Sequence, residues 1–234
     1  KDNLYPILKT LLFSNSSIEK RIAHQIEGVI LFPLLIYNAH CNSKSNLDVE
    51  HIIKVILSHD SSIDREDAYE YFIRRAKSYE PYNLFWIEEP LHPDNYHGYG
   101  IVSDKCIQHI AAGEEECSIT GFKNLIDLGN IDIVQIDVTR CGLTQAKKIA
   151  DYANILGKKV CNHNFTTDIN SAASLHFLCS IPNSLVMEYC QEKGEISRKL
   201  CSNPVKIKDG FAHLPTEPGL GVIPNNEIIE KYRA

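Results

Sequence analysis

The sequence lacks a hydrophobic run long enough to cross a membrane. Its longest apolar stretch covers residues 29–37 and is interrupted by Pro33, whereas a membrane-spanning helix needs about 20 apolar residues. Positive charge is also scarce, because 24 Lys and Arg stand against 30 Asp and Glu and give a net charge of −6. We therefore expect neither a membrane nor a nucleic acid as a partner.

Closely paired cysteines are absent as well, since none of the eight cysteines lies in a CxxC pair. Several occur inside apolar runs, such as Lys159-Val-Cys161 and His176-Phe-Leu-Cys179. Buried thiols of this kind are typical of reduced cysteines and not of a disulfide framework. We therefore predict a cytoplasmic protein without disulfides.

What the sequence does contain, from about residue 64, is a regular alternation of short apolar strands and amphipathic helices. We predict helices at 64–80, 118–128, 143–156 and 168–180, and strands at 83–87, 108–112, 131–136, 159–163 and 184–187. Repeated βα units of this length predict a parallel sheet with right-handed crossovers. A chain of 234 residues is long enough for one large α/β barrel or for two small domains.

The first 60 residues are less regular. A strand is predicted at Tyr5-Pro-Ile-Leu8, a helix at 16–27, a strand at 29–36 and a helix at 49–56. If Leu57 marks a short third strand, the chain has eight βα units. The predicted fold is therefore a (β/α)8 barrel of the TIM type that is incomplete around strand 3.

Five successive predicted strands are each followed by a carboxylate or a histidine: Glu88, Glu114, Asp137, His163 and Glu188. In an α/β barrel the C-terminal ends of the strands meet at one mouth, where active sites form. Each residue alone also has a structural explanation. Asp137 would serve as the cap of the helix that begins near Gly142, and a lone histidine is often structural. The joint pattern favours a site.

The residue types indicate proton chemistry assisted by a divalent cation. Glu88, Glu114 and an acidic residue earlier in the chain offer the oxygen ligands that Mg²⁺ prefers. Such a cation would neutralise a substrate carboxylate and stabilise an enediolate. His163 would be the base, Asp137 would orient its imidazole, and Glu188 with a raised pKa would donate a hydrogen bond to the substrate.

The same segments resemble the enolase superfamily, in its mandelate racemase and muconate lactonizing enzyme-like branch, which includes acid-sugar dehydratases. The resemblance is carried by Trp86-Ile-Glu-Glu-Pro90, Ala111-Ala-Gly-Glu114, Asp132-Ile-Val-Gln-Ile-Asp137, Cys161-Asn-His163, Met187-Glu-Tyr189 and Pro218-Gly-Leu-Gly221. It implies that Glu88 and Glu114 bind Mg²⁺, that His163 and Asp137 form the catalytic dyad, and that Glu188 faces the substrate.

The sequence also departs from this family. Nothing in it resembles the family's N-terminal capping domain, so we expect residues 1–234 to form one C-terminal barrel domain without the cap. Pro33 lies near the place of the strand-two lysine, and Ser58 stands where the first metal ligand is usual. Asp60, two residues later, is the candidate for the third ligand. Arg140-Cys-Gly-Leu143 is one residue short of the family's double-glycine turn.

The resemblance implies a Mg²⁺-dependent lyase that removes the proton α to a carboxylate and then expels a β-hydroxyl. Its substrate would be a small sugar acid, and family members commonly assemble as homo-oligomers. A racemase or epimerase is an alternative, although the missing lysine removes the second base that it would need. A catalytically inactive barrel remnant is the other alternative, which Pro33 and Ser58 favour.

Overall fold

The computed structural model describes residues 65–191 and 194–233. The chain divides into two compact units, residues 1–74 and residues 75–234, and the parallel sheet lies in the second. Outside the described residues lie the strands predicted at 5–8 and 29–36, the helices predicted at 16–27 and 49–56, and Pro33, Cys41, Leu57, Ser58 and Asp60. The single barrel domain over residues 1–234 stays a prediction.

The helices in chain order are α1 (Arg65–Tyr79), α2 (Tyr96–Lys105), α3 (Ile119–Asp127), α4 (Val138–Ile155), α5 (Asp168–Cys179), α6 (Glu195–Lys199) and α7 (Asn226–Tyr232). A 3₁₀ helix, Glu80–Tyr82, follows α1. Within the described ranges no helix is long and apolar enough to span a membrane.

The strands are β1 (Trp86–Glu88), β2 (His109–Ala112), β3 (Ile133–Ile136), β4 (Lys159–Asn162), β5 (Lys206–Lys208) and β6 (Phe211–His213). The first four pair in parallel in the order β1-β2-β3-β4, and a helix follows each of them before the next strand or loop segment. This arrangement confirms the predicted parallel βα units. Strands β5 and β6 form a separate antiparallel hairpin.

Burial explains why short apolar runs become these strands. Every residue of β3 is buried, and the last three residues of both β2 and β4 are buried as well. Parallel strands covered on both faces carry such continuous apolar runs. Helix α4 packs through one buried stripe, of which Ala146 and Ile149 are members, whereas Leu143 and Leu156 at the ends of the predicted helix are exposed.

Two helices that flank the parallel sheet differ from the prediction. Helix α4 begins at Val138, five residues earlier than expected, and it is kinked at Gly142, whose φ of 73° and ψ of 155° are not helical. Helix α2 was not predicted, since Gly98 and Gly100 weaken its helical pattern. A side chain at residue 100 would meet the backbone oxygen of Leu128 at 2.4 Å, so close packing requires this glycine.

The strand predicted at 184–187 is wrong in its extent. Only Ser184 pairs with β4, through an isolated parallel bridge to Val160. In this bridge Leu185 N donates to the Val160 oxygen at 2.9 Å. Residues 185–190 continue without strand pairing. The segment that carries Glu188 therefore needs other contacts to fix its position.

The cysteines of the described ranges are all free, namely Cys106, Cys117, Cys141, Cys161, Cys179, Cys190 and Cys201. The prediction of thiols without disulfides is confirmed for this part of the chain. Burial raises the pKa of the Cys161 thiol to about 12, with the nearby Glu88 and Glu188 charges acting in the same direction. This thiol is therefore an inert, protonated core group.

We expect Tyr99→Phe to lower the free energy of unfolding by about 1–2 kcal/mol, because it leaves a buried carbonyl without its donor. Tyr99 is completely buried, and its hydroxyl donates to the Leu91 oxygen at 2.9 Å. Urea unfolding followed by circular dichroism measures the change. The control is Tyr152→Phe, whose hydroxyl bonds at the surface with Asp127. Equal stability of both variants would contradict this role of Tyr99.

Candidate active site

The parallel sheet brings four of the predicted residues to one edge. Glu88 ends β1, Glu114 lies two residues beyond β2, and Asp137 and His163 directly follow β3 and β4. His163 Nδ1 lies 3.0 Å from Asp137 Oδ2, and its Nε2 lies 3.6 Å from Glu114 Oε2. The imidazole therefore stands between two carboxylates, with one nitrogen directed to each.

Asp137 does two things that the sequence presented as alternatives. Its Oδ1 accepts from Thr139 N at 2.8 Å and from Thr139 Oγ1 at 2.7 Å, so it caps α4. Its Oδ2 faces His163, and Asn170 Nδ2 donates to Oδ1 at 3.4 Å. Burial alone would raise the pKa of Asp137, but the hydrogen bonds from His163 and Thr139 outweigh it and lower the pKa.

The electrostatic surroundings of His163 favour its cation. Burial lowers its pKa, but the hydrogen bond with Asp137 and the charges of Glu114 and Glu188 outweigh this effect and raise the pKa to about 9. The imidazole side chain is only 12% exposed, and its ring stacks on Phe165 with centroids 6.3 Å apart. Its proton is thus controlled by carboxylates and hardly by solvent.

Glu188 joins the group although its segment is not a strand. Its Oε2 accepts from Asn164 N at 2.5 Å. Burial raises the pKa of Glu188 and the charges of Glu88 and Asp137 raise it further, while the Asn164 hydrogen bond acts in the opposite direction. The net direction is upward, as the proposed hydrogen-bond donor would require.

Negative charge accumulates at the ends of β1 and β2. Burial and the charges of Glu88 and Glu188 raise the pKa of Glu114, against the influence of His163. Trp86 Nε1 donates to Glu88 Oε2 at 3.2 Å, which holds that carboxylate at the strand end. Carboxylates that repel one another in this way form a site whose charge a cation would balance.

Glu89, which directly follows Glu88, was not among the predicted site residues. Burial, followed by the charge of Glu114, raises its pKa to about 7. Its Oε1 lies 3.4 Å from the Gly113 N–H that donates to it, and its backbone has φ 38°. The only signal in the sequence was the doubling of the glutamate before Pro90.

The fit to a divalent cation is partial within the residues described. Glu88 and Glu114 supply oxygen donors of the type that Mg²⁺ prefers. Across residues 65–191 and 194–233 no group of three or more His, Cys, Asp or Glu is arranged to hold a metal ion. The predicted third ligand, Asp60, lies outside those residues.

Comparison with known proteins gives consistent similarities. The family model described as "Enolase C-terminal domain-like" matches residues 61–228. The D-xylonate dehydratase of Haloferax volcanii is 30% identical over 160 residues, which cover 68% of this chain and 39% of that protein. The L-rhamnonate dehydratase of Saccharopolyspora erythraea is 34% identical over 169 residues, 68% of this chain and 42% of that protein.

Solved structures are similar over the same part of the chain. A mandelate racemase/muconate lactonizing enzyme from Jannaschia sp. CCS1 superposes with a TM-score of 0.67 at 32% identity, covering 71% of this chain and 43% of that one. This similarity confirms the predicted α/β barrel class. The chain spans about two fifths of the length of the curated relatives named above.

In protein stripped of divalent ions we expect the His163 imidazole to titrate near pH 9, because its pKa is raised to about 9. Asp137→Asn removes the anionic acceptor, so the midpoint should move toward the value of about 6.5 for a free imidazole. Histidine-selective ¹⁵N NMR measures both titrations, with the signals of the other histidines as internal controls. An unchanged midpoint in the variant would contradict the pairing.

The same shift has a consequence for stability. Because the folded pKa of His163 is about 9 and the ordinary value is 6.5, its stabilising contribution is complete below pH 6.5 and is lost as the pH rises through 9. The urea midpoint should therefore decline across this window, and less so in Asp137→Asn. Parallel declines in both proteins would assign the pH dependence to other groups.

Proposed function

The chain belongs to the enolase C-terminal domain-like family, and on this basis we propose that it is the barrel part of a Mg²⁺-dependent acid-sugar dehydratase. It would remove the proton α to a carboxylate and expel the β-hydroxyl as water. The observation that carries the proposal is the His163–Asp137 pair, 3.0 Å apart, beside the carboxylates at the strand ends. The names of the curated relatives, which refer to xylonate and rhamnonate, support a sugar acid as substrate.

His163 is proposed as the acid and base. A cation bound beside Glu114 would offset the negative charge that raises the pKa of His163. The neutral imidazole, with Nδ1 held by the Asp137 carboxylate, would then keep its proton on Nδ1 and present the lone pair of Nε2. Nε2 is the nitrogen on the side of Glu114. It would take the α-proton and return that proton to the departing hydroxyl, so that one residue serves both steps.

Glu188 is proposed to bind the substrate carboxylate. Its raised pKa makes protonation easier, and the protonated form would donate a hydrogen bond where an ionised carboxylate would repel the substrate. Asp137 stays ionised, because its hydrogen bonds lower its pKa. Glu188 and Asp137 would thus play opposite roles.

Glu88 and Glu114 are proposed as ligands of Mg²⁺, with Asp60 as the candidate for the third ligand. When bound, the cation would neutralise the substrate carboxylate and stabilise the enediolate. The repulsion that raises the pKa of Glu114 would be relieved by such a charge. Assembly as a homo-oligomer and a cytoplasmic location belong to the same proposal.

Two functions are alternatives to the proposed dehydratase. A racemase or epimerase would need a second base across the substrate from His163, and Pro33 near the expected lysine position disfavours it. An inactive remnant is favoured by Ser58 at the usual ligand position. Tight binding of a divalent cation favours an enzyme, whereas indifference to metal favours the remnant.

We expect calorimetry to detect Mg²⁺ binding to the whole chain and to find it weakened more than about 100-fold in the Glu88→Ala, Glu114→Ala double variant, since even changes around metal ligands cost 10–100-fold. The matched control is Glu227→Ala, Glu230→Ala, which removes the same charge from α7. An equal loss of Mg²⁺ affinity in both variants would show that net charge causes the effect. An absence of Mg²⁺ binding to the wild type would contradict the proposed metal site.

With Mg²⁺ present, we expect turnover of at least one sugar acid, tested with xylonate and rhamnonate by a colorimetric assay for 2-keto acids. His163→Asn should lower kcat by about 10²–10⁴-fold, the range for a general acid–base residue. Tyr152→Phe, remote from the site, is the control. If Mg²⁺ binds and none of the acids reacts, the inactive remnant is the better description.

A further inference from the structure

Glu188 lies beyond the last strand pairing of the sheet, so its position needs an explanation. The isolated bridge at Ser184 is four residues upstream, and residues 185–190 have no strand pairing of their own. A carboxylate that must meet a substrate needs a backbone fixed to within a fraction of an ångström. In this segment the sheet does not supply the fixation.

The side chain of Asn162 supplies it. Asn162 is the last residue of β4 and is completely buried. Its Nδ2 donates to the Glu188 oxygen at 3.1 Å, and its Oδ1 accepts from Glu188 N at 2.9 Å. A carboxamide carries one carbonyl and an N–H donor group, as a peptide group does. It therefore replaces the two backbone hydrogen bonds that a neighbouring strand would have made.

A second contact fixes the carboxylate of the same residue. Asn164 N donates to Glu188 Oε2 at 2.5 Å, and the Asn164 side chain is held in turn by a 2.8 Å hydrogen bond to Ser171 Oγ. Asn162 and Asn164 flank His163 in the chain. The same three residues thus set the positions of the imidazole and of Glu188.

We propose that Asn162 is a positioning residue for Glu188: its buried carboxamide replaces strand pairing and sets where the Glu188 carboxylate meets the substrate. Its effect on turnover rests on the function proposed above, whereas its effect on the geometry of Glu188 does not. A solely structural asparagine would stabilise the fold without controlling this carboxylate.

The chain contains a matched control in Asn183. Its side chain is also buried, and its Nδ2 donates to two backbone oxygens, those of Ala150 at 3.2 Å and Lys158 at 3.0 Å. Lys158 directly precedes β4, so Asn183 lies at the opposite end of this strand from Asn162. Asn162→Leu and Asn183→Leu therefore each remove a buried amide that makes two hydrogen bonds.

The experiment is amide NMR of the whole chain, with the Asn164 N–H as the probe of its bond to the Glu188 carboxylate. We expect this signal to move upfield in Asn162→Leu, as far as in Glu188→Gln, and to stay in place in Asn183→Leu. Asn162→Ala serves if the leucine variant does not fold. An unmoved Asn164 signal in a folded Asn162 variant would overturn the proposal, as would an equal shift in Asn183→Leu.

Kinetics then separate this proposal from the proposed function. If the chain turns over a sugar acid, kcat/KM should fall about 10–100-fold in Asn162→Leu, in line with the cost of a misplaced group, and the double variant with Glu188→Gln should lose little more than either alone. Full additivity would overturn the coupling between Asn162 and Glu188. If the Asn164 signal shifts but the chain shows no turnover, the result supports the positioning of Glu188 by Asn162 and contradicts the proposed dehydratase function.

Discussion

The short contact between His163 and Asp137 is the interaction on which the rest of the site depends. Asp137 is only 3% exposed, and it caps α4 with one oxygen while the other oxygen faces the imidazole. A shift of the helix would therefore also shift the base. The direction in which Nε2 points therefore depends on how α4 packs against the sheet behind the site. For the same reason the dyad needs no flexible loop to assemble.

Electrostatic repulsion is the second constraint on the site. Burial and neighbouring charges raise the pKa of Glu89, Glu114 and Glu188, so the folded state concentrates negative charge that an unfolded chain would disperse. A proton on His163 relieves part of this repulsion. A divalent cation would relieve more of it, so that stability, protonation and metal binding are expected to be coupled in this protein.

The sheet accounts for where these groups meet. Four parallel strands in sequential order bring residues about 25 positions apart in the chain to neighbouring places at one edge. Beyond β4 the pairing ends at Ser184, and hydrogen bonds of side chains take over. The carboxamide of Asn162 then fixes Glu188, which shows how one buried polar group extends an ordered edge beyond the last strand.

The sequence by itself determined the four paired strands and the placement of Glu88, Glu114, Asp137 and His163 at their ends. Buried parallel strands must be apolar runs, and a polar residue directly after such a run stands at the end of a strand. It did not predict α2, whose Gly100 is needed for packing against the distant backbone of Leu128. It also extended the pairing after Ser184 too far, because hydrophobicity alone does not show where a strand loses its partner.

Only the tertiary structure decided the double role of Asp137, the burial of Glu89 and the pairing of Asn162 with Glu188. Each depends on contacts between residues more than 20 positions apart. A local pattern reports which face of an element is apolar, but it does not report which distant carbonyl or carboxylate will lie opposite a given polar atom. Those distances arise only when the strands are packed side by side.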